Sequence, residues 1–550
     1  MKPLLAVGAA LLLLLGGVAV QCHRYQRALS QYDEHHLPAF DPFVHVAMAE
    51  HPAFFTVSPW GYRLLTPWVV HAVPLRSVIV GFRLVTVAGI ISAGLLLFFF
   101  LRRLGNGTWA VMLAVGFFGM SGPVGEAIRV PFLDEPVTVA LVAGFLLAIE
   151  CGASLSVLSL LMGLLTLAKG PALSLLFLPL VFLARYTKGR GRALGETALA
   201  GLPSVFLTAV LHLWWTPDMA TPHPTLGPGL AGSAFDVLQA DWGDTWRGAL
   251  LGGLTPLALL GALRPRARPF LRRYGYLLLA LCLLPFVAWI NVPGSRPVPL
   301  FGHNVVRLLV YALPLLLPLA LIALDRPWPH LTAPAPSRAP RPLWRSLATA
   351  SVAACMAFPF LGLDRYRRIP LHPQRDGPLV LTFCRESLRT SQRLAAGRGT
   401  SWSLDGLRFV WGESDPGEMR LMRWFLRDGW GPLPHYGRTP AMMEGLDASL
   451  VLPSFGSADL DVTLALQVAS STALQVAVNG YPVGGGQFGP GLAELTVRVP
   501  ASVQFRGDNI LTIERQDPGQ PGPILSRLAI APARPGNPVT GAPARSLGGG

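Results

Sequence analysis

Residues 77–101 read SVIVGFRLVTVAGIISAGLLLFFFL, a 25-residue apolar run interrupted by one arginine and closed by Arg102 and Arg103. A hydrocarbon core about 30 Å thick takes roughly 17–25 helical residues to cross, so this stretch predicts a membrane-spanning helix with a basic anchor at one end. Comparable runs lie near 4–21, 108–122, 134–150, 153–168, 171–185, 197–214, 248–263, 274–291, 304–324 and 345–362. Together they predict a polytopic α-helical membrane protein of about 11 transmembrane helices.

The composition points the same way. Of 550 residues, 51% are hydrophobic and 14% are charged, where ordinary soluble domains carry about 25% charged residues. Mean hydropathy is +0.46. The formal net charge of +15 is explained by topology. Lys2, Arg102, Arg103, Arg185, Lys188, Arg190, Arg192, Arg264, Arg266, Arg268, Arg272, Arg273, Arg326, Arg338, Arg341 and Arg345 all fall in every second connection, as the positive-inside rule requires. The alternation predicts a multi-pass protein of a bacterial inner membrane with a cytoplasmic N-terminus. Connections 22–76, 123–133, 168–170, 215–247 and 292–303 are then outside, and everything after about 363 is exported to the periplasm or cell exterior. The first run is expected to be an uncleaved anchor, because no clean small-x-small cleavage site follows it. No nucleic-acid-binding motif accompanies the basic excess. Cys22, Cys151, Cys282, Cys355 and Cys384 are too scattered for a disulfide framework or a zinc ribbon.

Past the last apolar run the pattern changes from helical to alternating. DASLVLP, LDVTLALQVA, ALQVAVN, AELTVRV, NILTIER and LSRLAIA are short period-two segments separated by turn residues. Among the turns is Asn479-Gly480, a strong two-residue hairpin signal. The predicted organisation is a multi-span transmembrane domain over 1–363, a mixed α/β connector over 364–438 with a helix in GEMRLMRWFLRDGW, an exported β-sandwich or jelly roll over 439–533, and a disordered Pro/Gly/Ala-rich tail over 534–550.

The candidate chemistry sits in the external connections. The first carries Asp33, Glu34, His35 and His36 about a dozen residues beyond the first span, with Asp41 following. A carboxylate at the lip of a membrane cavity serves as a general base toward a hydroxyl, or as a ligand of a divalent metal ion. Adjacent histidines without HExxH spacing do not make a zinc site. Arg63 fits two roles, clamping a phosphate or snorkelling to lipid headgroups. Arg129 precedes Asp134 and Glu135, which open the next span; Asp134 is either a helix cap or an ionisable group with a function. Lys169 is one of only three lysines, with Lys2 and Lys188, and no topology rule asks for a cation there. Arg307 sits just inside the outer end of a span, where an arginine costs several kcal/mol. Arg129, Lys169 and Arg307 thus supply outer-side cations suited to a lipid-linked phosphate leaving group.

A long first external loop with acidic residues soon after the first span, many spans, further polar residues on the same face and an exported β-domain together resemble the GT-C superfamily of integral membrane glycosyltransferases. The superfamily includes protein O-mannosyltransferases, lipid A aminoarabinose transferases and mycobacterial arabinosyltransferases. The resemblance is architectural and covers about 1–362; the loop reads DEHH and not Asp-x-Asp. It implies transfer of a sugar from a polyprenyl-phosphate-linked donor to a glycan, lipid or protein acceptor on the non-cytoplasmic face. The family's acidic loop residue carries over onto Asp33 or Glu34, with Asp41 behind them. VAVNGYPVGG and GDNILTIE in the tail look like the jelly-roll carbohydrate-binding modules appended to some arabinosyltransferases. Trp402, Trp411, Trp424 and Trp430 are residues of the type that stack on sugar rings or pack in a core. An oligosaccharide polymerase or ligase, a transporter or flippase, and a non-catalytic scaffold displaying a binding domain are the rival readings.

Overall fold

The computed structural model describes residues 3–26, 30, 32, 37, 40–52, 63–75, 77–211, 254–290, 308–324, 381, 388–390, 392–403, 430, 441–443, 446–454, 458–504, 507–517 and 520–533. They fall into two compact units, one helical (Met1–Glu50, Ser58–Val210 and Thr221–Pro370) and one built on the C-terminal strands (His51–Val57, Leu211–Ala220 and Leu371–Gly550).

The helical unit contains α1 (Pro3–Arg24), α2 (Phe40–Glu50), α3 (Leu65–Ala72), α4 (Val78–Arg103), α5 (Thr108–Met120), α6 (Gly122–Arg129), α7 (Glu135–Glu150) and α8 (Leu155–Lys169). It continues with α9 (Pro171–Leu175), α10 (Leu178–Arg185), α11 (Arg190–Val210), α12 (Leu254–Leu263), α13 (Arg268–Ile290) and α14 (Leu313–Ala323), the last preceded by a 3-10 turn at Leu309–Tyr311. Among the described residues, four stretches are long and apolar enough to cross a membrane: Leu4–Arg24, Val78–Arg103, Thr108–Arg129 and Arg190–Val210. Leu155–Lys169, Pro171–Arg185, Leu254–Leu263 and Leu313–Ala323 are shorter apolar helices. Span 345–362, the helix expected within 417–430 apart from Trp430, and the tail 534–550 lie outside the described residues.

Two expected connections are themselves structured. The one read at 123–133 is mostly α6, which continues the line of α5 past Ser121. The interruption at Ser121 is filled from α1, where Gln21 Nε2 donates to the carbonyls of Met120 (2.9 Å) and Ser121 (3.3 Å). The one read at 22–76 contains α2 and α3. Helix α2 is buried from Phe43 through Ala49, His45 included. His71 Nδ1 donates to the Ala49 carbonyl at 2.8 Å, tying α3 to the end of α2. Helices α4 and α7 pack closely where Gly89 faces the first turn of α7: a Cβ on Gly89 would lie 2.9 Å from the Pro136 carbonyl carbon.

The two ends of this unit differ in charge. Arg103 Nε donates to the Glu150 carbonyl (3.2 Å) and Arg273 pairs with the Glu150 carboxylate (3.1 Å). Arg185 donates to the Ala153 carbonyl and pairs with Glu196. Basic residues of three connections therefore gather where α7 ends. The opposite end of α7, 16 residues or about 24 Å away, carries Asp134 and Glu135.

In the second unit, β1 (Thr400–Ser403), β2 (Ala441–Met442), β3 (Asp447–Ser454), β4 (Leu460–Val468), β5 (Thr472–Val478), β6 (Tyr481–Phe488), β7 (Gly491–Val499), β8 (Gly507–Arg515) and β9 (Ile524–Pro532) form two antiparallel sheets. The first has the order β1-β9-β4-β7 with β2 also on β9, and the second the order β3-β8-β5-β6. Strand β1 comes from the segment read as a connector. Period-two burial puts Val462 and Leu464 of β4 and Leu474, Val476 and Val478 of β5 inside. In β9 the inward residues Leu525 and Leu528 are three apart, because a bulge at Ser526 shifts the register and Ser526 Oγ donates to the Ala465 carbonyl. The sheets meet face to face where Gly484 of β6 sits against Val497 of β7. Between β5 and β6, Asn479 and Gly480 both have positive φ (53° and 83°), as a tight hairpin with strand-matched twist requires. Trp430 is core, with Nε1 donating to the Ser449 carbonyl at 2.8 Å.

Substituting Gly89→Ala is expected to destabilise the full-length chain by about 1–3 kcal/mol, because the new methyl meets backbone that cannot move aside. A lower midpoint in thermal unfolding of the purified protein checks this; an unchanged midpoint would mean that α4 and α7 separate freely.

Candidate functional site

The site is built around the last carbonyl of α6, at Arg129, and the non-helical segment from Val130 to Asp134 that joins α6 to α7. Inside a protein such a segment must find donors for its carbonyls, and side chains from elsewhere in the unit supply them. Tyr32 OH donates to the Arg129 carbonyl (2.8 Å), Thr86 Oγ1 of α4 to Pro131 (2.8 Å), His45 Nδ1 of α2 to Phe132 (2.6 Å) and Thr138 Oγ1 to Asp134 (2.8 Å). The Phe132 ring is flanked by Tyr32 and Phe82, each at 5.7 Å between centroids. The segment thereby fixes where α7 begins.

Helix α7 starts with Asp134 at the cap position, Glu135, then Pro136, a sequence suited to a helix start by dipole and by proline's fixed φ. Asp134 nevertheless makes no side-chain cap hydrogen bond. Its Oδ1 instead accepts from Lys169 Nζ at 2.9 Å, and Glu135 Oε1 accepts from the same ammonium at 2.9 Å. The carboxylate side chains are 1% and 2% exposed and the lysine 10%, so the cluster is nearly dry and touches solvent only past Lys169. Lys169 is the last residue of α8, placed there because Gly170, at φ +92°, breaks the helix. The Tyr311 ring lies 5.7 Å from the ammonium, within cation–π range.

Several sequence expectations change here. The Lys169 ammonium is held by two buried carboxylates in addition to the outer-side position expected of it. Arg129 does not reach Asp134: it pairs with Glu126 of its own helix, Nε donating to Oε2 at 2.8 Å. Arg63, just ahead of α3, acts electrostatically on Asp134 in the favourable sense and on His45 in the unfavourable one. Asp41, in the first turn of α2, favours a charged His45. The structure thus brings together Asp134, Lys169 and the field of Arg63, leaves Arg129 with Glu126, and places Asp41 near His45. Asp33, Glu34, His35, His36 and Arg307 lie outside the described residues.

Sequence reading missed His45 and Tyr311 and gave Glu135 no role of its own. Charge balance carried a signal for Glu135, because a lone lysine beside an adjacent acidic pair suggests that it bridges both. Nothing in the local pattern of α2 marks His45.

Among the described residues no group of three or more His, Cys, Asp or Glu is arranged to hold a metal ion. The Lys169 ammonium also stands between the two carboxylates, where a second cation would be repelled. The described donors therefore do not fit a divalent metal, and no step is routed through one. No family model matches the chain, and no curated protein matches it.

Two outcomes follow from the buried charges. Lys169→Met strands two carboxylates and is expected to cost about 3–5 kcal/mol, whereas adding Asp134→Asn and Glu135→Gln to it restores most of the loss; thermal unfolding of the three forms checks both. Burial holds the His45 imidazole below its ordinary pKa, against the pull of Asp134. The unfolded chain, with an imidazole near pKa 6.5, then binds the proton more readily. Stability from this group is full above about pH 6.5 and declines as the pH falls below it. A His45→Asn variant should show a smaller loss of melting temperature than wild type between about pH 7.5 and 5.5.

Proposed function

We propose that this chain is a membrane glycosyltransferase of GT-C type, transferring a sugar from a polyprenyl-phosphate-linked donor to an envelope acceptor on the non-cytoplasmic side. One observation carries the reading: a dry ionisable cluster at one end of an apolar helical unit, with the basic residues at the other end. Ionisable groups inside apolar helices are costly and are kept for function, and the end with the arginines is the one the positive-inside rule assigns to the cytoplasm. Leu4, Leu12, Leu84, Leu113, Leu160 and Phe206 are more than half exposed on these helices, which favours a lipid surround and the multi-pass reading of about 11 spans.

In this mechanism the acceptor hydroxyl attacks the anomeric carbon, the bond from that carbon to the phosphate oxygen breaks, and the phosphate leaves with the electron pair. The hydroxyl proton passes to Asp33 or Glu34, and a single displacement inverts the anomeric configuration. Arg63 and Arg307 are the cations assigned to the departing phosphate, since Lys169 and Arg129 already pair with carboxylates. Lys169 holds Asp134 and Glu135 in place. In the second unit, the two facing four-strand paths and their order favour a jelly roll, which we assign to carbohydrate binding outside the membrane.

The test is transfer of radiolabelled sugar from polyprenyl-phosphate-linked pentoses and hexoses to envelope extract by the purified chain in proteoliposomes. Wild type is expected to transfer one of them, and either Asp33→Asn or Glu34→Gln to lower the rate by about 10²–10⁴-fold. Movement of the lipid-linked sugar across the bilayer without transfer would replace this reading with a flippase.

A further inference from the structure

His45 is wholly buried at the middle of α2, and its two ring nitrogens have different surroundings. Nδ1 lies 2.6 Å from the Phe132 carbonyl oxygen. A carbonyl only accepts, so Nδ1 carries the proton and Nε2 is left with a bare lone pair. Nε2 is buried and has no hydrogen-bond partner among the described residues. Asp134 shows the same asymmetry: Oδ1 is held by Lys169, and Oδ2 is buried with no partner among the described residues. Each of the two side chains acts electrostatically on the other. Two buried acceptors are thus kept without donors among the described residues, an expensive arrangement unless something bound supplies the donors.

The donors' chemistry follows from the surrounding charge. An ammonium or metal cation would meet the Lys169 ammonium on Asp134 itself and the favourable field of Arg63 already acting there. A neutral O–H group meets neither objection. Burial keeps the imidazole neutral and hence able to accept. We propose that His45 Nε2 and Asp134 Oδ2 form an acceptor-only subsite for hydroxyl groups of the sugar ring that the enzyme transfers. This inference rests on the glycosyltransferase reading and adds His45 to the substrate-binding residues. Such a subsite discriminates by hydroxyl pattern: a sugar lacking the hydroxyl leaves buried acceptors unpaired and is rejected.

The experiment measures binding of polyprenyl-phosphate-linked pentose and hexose, and of their monodeoxy analogues, to the full-length chain in lipid nanodiscs. His45→Asn is the informative variant, since its amide can still donate to the Phe132 carbonyl while the acceptor at the Nε2 position is gone. In wild type, removing one particular hydroxyl should weaken binding on the order of tenfold. In His45→Asn the parent ligand should bind on the order of tenfold more weakly, and removing that same hydroxyl should then change nothing further. His45→Gln, whose longer amide reaches the Nε2 position, should recover part of the loss. If the asparagine variant does not fold, Asp134→Asn, with the same coupling expected for a ring hydroxyl, takes its place. Equal sensitivity to every deoxy analogue in wild type and variants overturns the subsite and leaves the transferase reading standing. Failure of wild type to bind any lipid-linked sugar removes that reading, and the subsite with it.

Discussion

Two carboxylates buried at the start of an apolar helix need a cation beside them, and Lys169 serves both Asp134 and Glu135. The helix dipole of α7 helps, but a dipole end acts like roughly half a charge and does not offset two desolvated carboxylates. The rest of the helical unit is arranged around this need. Helix α8 must stop at Lys169 for the ammonium to turn toward α7, which Gly170 permits, and α7 must begin where Asp134 and Glu135 are. The start of α7 is set in turn by the segment behind it.

That segment, Val130 to Asp134, is irregular backbone inside an apolar unit, a place where unpaired carbonyls are penalised most heavily. Tyr32, His45, Thr86 and Thr138 each supply a donor. Tyr32, His45 and Thr86 come from distant parts of the chain and Thr138 from α7 itself, so the first connection, α4 and α7 are tied together at one point. His45 does this with Nδ1 and leaves Nε2 without a hydrogen-bond partner among the described residues.

The apolar runs were legible because solvation in lipid or in a helical core imposes a length and a composition on each segment separately. Strand alternation and the Asn479-Gly480 turn were legible for a similar reason: both are constraints on consecutive residues, and both appear in the two sheets. Helices α2 and α6 were not, since polar residues such as Asp41, His45 and Glu126 interrupt their apolar pattern and their burial depends on what packs over them. The bulge at Ser526 was likewise invisible, because it answers to the register of β4 and not to the sequence of β9.

The sequence by itself determined the apolar helical character of the described segments of the first unit, the alternating strands of the second, and the placing of arginines between apolar runs. These follow from forces that act on each segment without regard to its neighbours. Only the tertiary structure decided the pairing of charges. Arg129 has carboxylates available three residues before it and five after it; the nearer, Glu126, wins because both lie on one helical face at i and i+3. Lys169 takes the farther pair, 34 and 35 residues upstream, because packing brings the end of α8 to the start of α7. Linear distance carries no record of that proximity, and the electrostatic energy of a buried ion depends on little else.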